Sequence, residues 1–315
     1  RMFFIILLLS AALSVLLVNT ITNPLRRLAK AAEMVRTGQG DAAAIPDMSE
    51  RGDEIGEVSI ALRGLVRALS ERMTTIERFA ADVSHELKNP LTSMRSALET
   101  LKNIKSTNDR KELMTILETD VRRLDRLVTD ISRASRLDVE LARESADTFN
   151  LVDLLDGIVE NYCLRHDMAA QEGKTLPRVV FDDGGFEQAI AFGNEDRLTQ
   201  VVTNLIDNAI SFSPGDGQVT IRLTHDEDNN WQVFVDDEGP GIPEGKTEKI
   251  FERFYTERAG KELFGQHSGL GLSIARKIVE AHEGRLSATN RSRENDILGA
   301  RFILTLPRLS KENLQ

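Results

Sequence analysis

The sequence predicts a multidomain chain, α plus α/β. It comprises the end of a transmembrane helix, a parallel coiled coil, a helical hairpin that completes a four-helix bundle as a dimer, and a C-terminal α/β sandwich. Three observations carry this reading. No charge occurs between Met2 and Arg26. An apolar seam at near-heptad spacing runs from Ile55 to Leu101. Beyond it, helical runs are mixed with strand-like ones, among them the alternating run Trp231 to Val235, which leads into a glycine turn.

Composition sets the limits. The 315 residues amount to about two domains at ~100–200 residues each, with length left over for a coiled coil. Hydrophobic residues make up 41% and charged residues 29%, the balance of a folded chain. The net charge of −10 argues against general nucleic-acid binding, which needs a cationic surface. Cys163 is the single cysteine, so neither a disulfide framework nor a CxxC zinc cluster is available.

The first element is the run Phe3 to Val18, FFIILLLSAALSVLLV. Its length and lack of charge fit the last part of a transmembrane helix, with further sequence expected ahead of it. A signal peptide fits less well, because no small-x-small cleavage site follows. Arg26, Arg27, Lys30 and Arg36 come next, opposed only by Glu33. Positive flanks face the cytoplasm, so residues after about 20 are expected there. A buried helix of a soluble domain is the other reading of the same run.

Leu25, Leu28, Ala32 and Val35 then mark a short amphipathic helix with Pro24 near its start. Gly38 to Gly52 breaks the periodicity. Ile55, Val58, Leu62, Leu65 and Leu69 resume it in steps of three and four, as packed parallel helices do. Membrane run, proline, short helix, connector, Asp53-Glu54-Ile55-Gly56 and second helix together resemble a HAMP domain, the signal-converting module of bacterial receptors.

The seam continues through Met73, Ile76, Ala80, Val83, Leu87, Leu91, Met94, Leu98 and Leu101. Two consecutive steps of four at Leu65–Leu69–Met73 break the heptad phase, and a stutter of this kind locally unwinds a coiled coil. Signal output is expected to pass there. A second helix is expected from about Arg110 to Leu141, with Leu117, Val121, Leu124, Val128 and Ile131 on one face and Asn108 or Asp109 as cap. One hairpin cannot bury both stripes, whereas two hairpins make a four-helix bundle. A homodimer follows from packing need.

His85 lies two residues from both Val83 and Leu87, about 200° round the helix, so it faces away from the seam. The string Phe79-Ala80-Ala81-Asp82-Val83-Ser84-His85-Glu86-Leu87-Lys88-Asn89-Pro90-Leu91-Thr92 resembles the H-box of sensor histidine kinases. A neutral imidazole carries one nucleophilic ring nitrogen. The resemblance implies that His85 takes the γ-phosphate of ATP, that Glu86 orients the ring or accepts its proton, and that Asn89 positions a water for removing phosphate from the partner's aspartate. His85 and Asn89 share a helix face at i,i+4.

Further on, Asn204-Leu205-Ile206-Asp207-Asn208-Ala209 resembles the N-box of the GHKL (Bergerat-type) ATPases. The resemblance implies Mg²⁺ on Asn208 and Asn204 near the phosphates. Ser211 and Phe212 stand where the family often has Lys and Tyr, which removes one phosphate contact and leaves Phe212 to stack on adenine. Asp236-Asp237-Glu238-Gly239-Pro240-Gly241-Ile242-Pro243 resembles the G1 box, which implies that Asp237 accepts from the adenine amine while Gly239, Gly241 and Ile242 lie beside the base. Ile250-Phe251-Glu252-Arg253-Phe254-Tyr255 resembles the F-box. The stretch from Thr256 to Ser268 reads as a lid, with Arg258 and Lys261 as candidates for the γ-phosphate because Thr256 stands where Arg is frequent. Ser268-Gly269-Leu270-Gly271-Leu272 resembles the G2 box, whose backbone N–H groups at a helix start suit a phosphate.

The expected domains are 1–19 (membrane helix), 20–73 (HAMP), 74–145 (dimerisation and phosphotransfer) and 146–315 (ATP binding). Ala146–Gly173 is expected as helix and linker, and the last strands at Arg285–Thr289 and Ala300–Leu306. The resemblance implies a membrane-anchored homodimeric histidine kinase of the bacterial inner membrane, with ATP and Mg²⁺ as cofactors and a response regulator as partner. It also implies phosphatase activity toward that regulator. The alternative is a GHKL-type receptor switched by nucleotide without histidine phosphotransfer, which would have no use for the H-box.

Overall fold

In the computed structural model, residues 1–37, 40, 42–102, 106–141, 145–255, 269–293 and 296–308 are described. The chain divides into two compact units, Arg1–Ser84 and His85–Gln315.

In the first unit, helix α1 (Met2–Leu17) passes through a single wide turn, Val18–Thr22, into α2 (Asn23–Arg36). No residue of α1 is buried. The helical path does not break at Pro24. Proline cannot donate to the carbonyl four residues back, and that carbonyl, Thr20 O, accepts instead from Arg51 Nη2 at 2.9 Å. A small core follows: Leu28, Ala31, Ile45 and Val66, with Met34, Val35, Ile55 and Leu62 packed on it.

The Asp-Glu-Ile-Gly string acquires a physical reason. Asp53 caps α3 (Glu54–Leu101), its Oδ1 accepting from Gly56 N at 3.1 Å. Arg51 pairs with the same carboxylate at 2.5 Å and holds it at a pKa of about 2. A Cβ at Gly56 would lie 3.0 Å from Met48 O and closer still to Arg51 O, so only glycine fits this turn. Helix α3 continues without interruption through Pro90.

In the second unit, the last part of α3 is followed by α4 (Thr107–Leu141). Helix α4 begins before the expected Arg110: Ser106 Oγ accepts from Asp109 N at 3.4 Å, so Ser106 is the cap and Asn108 and Asp109 lie in the first turn. The segment expected as helix and linker belongs to the C-terminal domain itself. Strand β1 (Asp147–Asn150) leads into α5 (Leu151–Gln171), which buries Leu151, Leu154, Leu155, Ile158, Val159 and Tyr162. Strand β2 (Arg178–Asp182) and strand β3 (Ile190–Gly193) follow, and β1 pairs antiparallel with β3.

Helix α6 (Glu195–Phe212), β4 (Gln218–His225), β5 (Trp231–Asp236), α7 (Gly271–Ala281), β6 (Arg285–Arg293) and β7 (Asp296–Leu306) complete the domain. The main sheet has the order β2-β4-β5-β7-β6, with β2 and β4 parallel and the other pairs antiparallel. Alternation places Val219, Ile221, Leu223, Val233, Val235, Phe302 and Leu304 in the core, where they meet the apolar faces of α5, α6 and α7. The last strands are longer than expected because β6 and β7 continue as a ribbon past the domain core, across a register shift at Arg291/Ser292. Leu137 of α4, 2% exposed, is inserted into the same core.

Candidate active site

The N-box helix α6 is amphipathic, and burial of Leu198, Val201, Val202, Leu205, Ile206 and Ala209 fixes its rotation. Asn204 and Asn208, one turn apart, are thereby left half-buried along a cleft of about 890 Å³. Asn204 Nδ2 donates to Gly271 O at 3.3 Å, tying α6 to the first residue of α7. The Asn208 amide has no hydrogen-bond partner among the described residues. One neutral oxygen in an open cleft fits Mg²⁺, which fills its remaining positions with water and nucleotide oxygens.

Strand β5 delivers Asp236 and Asp237, and the structure separates their roles. Asp236 is taken by Arg301, whose Nε and Nη2 reach its two oxygens at 2.6 and 2.7 Å. Asp237 is 2% exposed and lines the cleft. Its Oδ1 accepts from Gly239 N and Ala300 N, both at 2.9 Å, while its Oδ2 has no partner among the described residues. Burial raises the pKa of this carboxyl above the ordinary value, against the lowering effect of the two N–H donors and Arg291.

The glycines are positioned by close approach. Gly241 sits at φ +78°, and a Cβ there would meet Asn290 Oδ1 at 2.8 Å. Asn290 itself clamps the next residue, accepting from Ile242 N at 2.6 Å and donating to Ile242 O at 2.7 Å. Gly269, at φ +72°, would press a Cβ to 2.8 Å from the Phe254 backbone. Phe254 N donates to Gly269 O at 2.9 Å, and Phe254 adopts φ +60°. Phe254 and Gly269 are therefore stapled together.

Of the residues expected at the nucleotide, Asn204, Asn208, Phe212, Asp237, Gly241, Ile242, Gly269, Gly271 and Leu272 all line the one cleft. Gly239, Phe254 and Leu270 stand behind its wall. Gly239 packs under Phe212, Phe254 packs half-buried on the core and Leu270 is fully buried. Arg258 and Lys261 lie outside the described residues, as does the expected lid. Sequence reasoning gave Pro243, Ile250 and Tyr255 no role beyond their box strings and missed Phe302; all four add to the apolar lining of the cleft. It also missed Asp207, inside the N-box string, which accepts from Tyr162 Oη at 2.7 Å. Burial, followed by Asp207, pushes the Tyr162 phenol pKa well up, so it stays a proton donor. Asn290 gave no signal, because its partner is 48 residues away.

His85 and Asn89 are exposed on α3, one turn apart, and neither lines the cleft. Glu86 is half-buried and accepts from Arg123 Nη2 of α4 at 3.2 Å. His282, unassigned by any motif, is structural: Nδ1 donates to Ile278 O at 2.7 Å, and Nε2 accepts from Asn194 N at 3.0 Å, where α6 begins.

The fold and cleft define a nucleotide-binding domain of the GHKL class joined to a helical hairpin that displays a histidine. Residues 193–310 match the family described as histidine kinase-, DNA gyrase B- and HSP90-like ATPase. Residues 75–140 match the His Kinase A (phospho-acceptor) domain, and residues 16–71 the HAMP domain. The chain belongs to the sensor histidine kinases. It is 49% identical over 312 residues to "Sensor protein ChvG" of Rhizobium meliloti (strain 1021), covering 98% of this chain and 53% of that protein. It is 31% identical over 294 residues to "Signal transduction histidine-protein kinase/phosphatase MprB" of Mycobacterium sp. (strain KMS), covering 90% of this chain and 53% of that protein. The chain thus spans about half the length of these curated relatives. Among solved structures, histidine kinase ThkA in complex with response regulator protein TrrA is similar at 27% identity and a TM-score of 0.57, over 77% of this chain and 65% of that one.

Proposed function

We propose that this chain autophosphorylates His85 with ATP and passes the phosphoryl group to an aspartate of a response regulator. The observation that carries this is the single cleft lined by N-box, G1 and G2 residues, in a chain that exposes an H-box histidine on a separate helix. A lone pair of the His85 imidazole attacks the γ-phosphorus, the new N–P bond forms as the bond to the β-phosphate oxygen breaks, and ADP leaves. Glu86 accepts the ring proton, and Arg123 holds that carboxylate in place. Asp237 Oδ2 takes the adenine amine, Asn204 and the backbone N–H groups at the start of α7 hold the phosphates, and Asn208 is the residue that would hold Mg²⁺. When bound, that ion would neutralise phosphate charge.

Asn89, one turn beyond His85, orients a water that attacks the regulator's aspartyl phosphate, releasing inorganic phosphate and the free carboxylate. The kinase/phosphatase description of the mycobacterial relative supports that second activity. Leu91 and Leu98 on α3, and Met114, Val121 and Val128 on α4, recur at seven-residue spacing and are exposed. They form the stripe that a second copy covers in a homodimeric four-helix bundle. Helix α1, apolar and unburied, anchors the chain in the bacterial inner membrane. The basic residues that follow it, Arg26 to Arg36, set the later residues in the cytoplasm. The domain boundaries of this reading are 19/20, 73/74 and 145/146.

Incubation with γ-labelled ATP tests the proposal. Acid-labile label on the wild type, lost in His85→Gln, is the expected result. Absence of label from the wild type, or acid-stable label surviving in His85→Gln, overturns it.

A further inference from the structure

One wall of the nucleotide cleft comes from outside the ATPase domain. Arg126, Thr129, Asp130 and Arg133 of α4 line it, at the i, i+3, i+4, i+7 spacing of a single helix face. The docked end of α4 sets that face. Leu137 is buried in the core of the ATPase domain, Ile131 and Ala134 pack against that core, and Arg197 Nη2 of α6 donates to Glu140 Oε2 at 2.8 Å.

Helix α4 packs there on α7, the helix that begins at Gly271. Arg133 shares the cleft lining with Asn204, Asn208 and Gly271. Asn204 bonds to Gly271 O, at the helix start that receives phosphate.

The charges around that point are unbalanced. The α6 wall contributes Asp196 and Asp207. Arg165, the cation contributed by α5, is committed to Asp207 at 3.7 Å and lies over the Tyr162 ring at 4.7 Å. Ser211 offers no charge. Arg133 has no ion-pair partner among the described residues.

We infer that Arg133, on the second helix of the phosphoacceptor hairpin, is a phosphate-binding residue of the nucleotide site. The inference rests on the reading of the cleft as an ATP site. Its guanidinium supplies a forked, permanently charged donor set where the ATPase domain's own wall is acidic. Nucleotide is then held jointly by two domains, and a triphosphate favours the arrangement in which α4 is docked.

The test uses the full chain with Arg133→Gln, Arg133→Lys and Arg136→Gln; Arg136 is on the same helix and does not line the cleft. Affinities for ATP, ADP and adenosine are measured by competition against a fluorescent adenine nucleotide. Arg133→Gln is expected to weaken ATP about tenfold, the effect of one charge-assisted phosphate contact, and to leave adenosine unchanged. Arg133→Lys recovers part of the loss, and Arg136→Gln binds as the wild type. Equal ATP and ADP affinities in Arg133→Gln and wild type overturn the inference, as does an equal loss for adenosine. A wild type that binds neither ATP nor adenosine overturns the ATP-site reading itself.

Discussion

Replacing Asp237 by Asn separates what its two oxygens do. Oδ1 accepts from Gly239 N and Ala300 N at 2.9 Å each, and an amide oxygen can still accept from both. At the Oδ2 position the substitution puts an NH₂ donor where an adenine amine, also a donor, is to be received. The loss is that of a hydrogen bond to a charged group, about 1.5–3 kcal/mol. At 1.4 kcal/mol per decade, ATP binding weakens about 10- to 100-fold. Asp237→Ala instead leaves two inward-facing N–H groups unpaired, at about 1–3 kcal/mol each, and lowers the unfolding temperature. pH adds a second discriminator. Burial raises the carboxyl pKa in the folded state, so the cost of ionising it is absent well below the ordinary carboxylate value. The cost grows as pH rises from that value through the raised one and is complete above it. Asp237→Asn therefore gains stability relative to the wild type over that window. Competition binding and thermal unfolding across pH measure both effects. Wild-type ATP affinity in Asp237→Asn, or unfolding of Asn and Ala variants at the same temperature, refutes the assignment.

Val121→Glu with Val128→Glu places charge in the exposed stripe of α4 and is expected to convert a dimer to a monomer in sedimentation while adenosine affinity holds; an unchanged dimer refutes the bundle. Arg123→Met removes the donor that holds Glu86 and is expected to slow His85 labelling about tenfold, with Arg123→Lys restoring part of it. Equal rates in all three proteins leave Arg123 no positioning role. In the first unit, Arg51→Ala and Asp53→Ala each strip the α3 cap of a partner, and Arg51→Ala also orphans the Thr20 carbonyl. Their double-mutant cycle in thermal unfolding is expected to be non-additive, the pair losing less than the sum. Asp53's contribution is present above the ordinary carboxylate pKa and disappears as pH falls through about 2, since Arg51 depresses it.

The sequence made local matters readable. Steps of three and four located α3 and α4, and two-residue alternation located β5. The boxes announced the cleft because each packs its chemistry within a few consecutive residues. Asn204 and Asn208 sit one turn apart on a helix, while Gly241 and Gly269 sit where a Cβ would collide. The segment from Asp147 to Gly193 was less readable for a physical reason. Strands β1, β2 and β3 have four or five residues each, too few for alternation to stand out, and β1 pairs with β3, forty-odd residues later. Helix α5 shows its apolar face, but nothing in that face says which sheet it covers.

What stayed hidden has one common form. Arg51 meets Thr20 across 31 residues, Glu86 meets Arg123 across 37, Ile242 meets Asn290 across 48 and Glu140 meets Arg197 across 57. Each joins groups far apart in the chain, and at least one partner has no motif of its own. Such a partner is selected by where the fold brings it, and many surface arginines or asparagines look the same in one dimension. The chemistry that defines the family is therefore written in short strings. The residues that set its geometry, and Arg133 in the cleft above all, become visible only when elements distant in sequence are brought together.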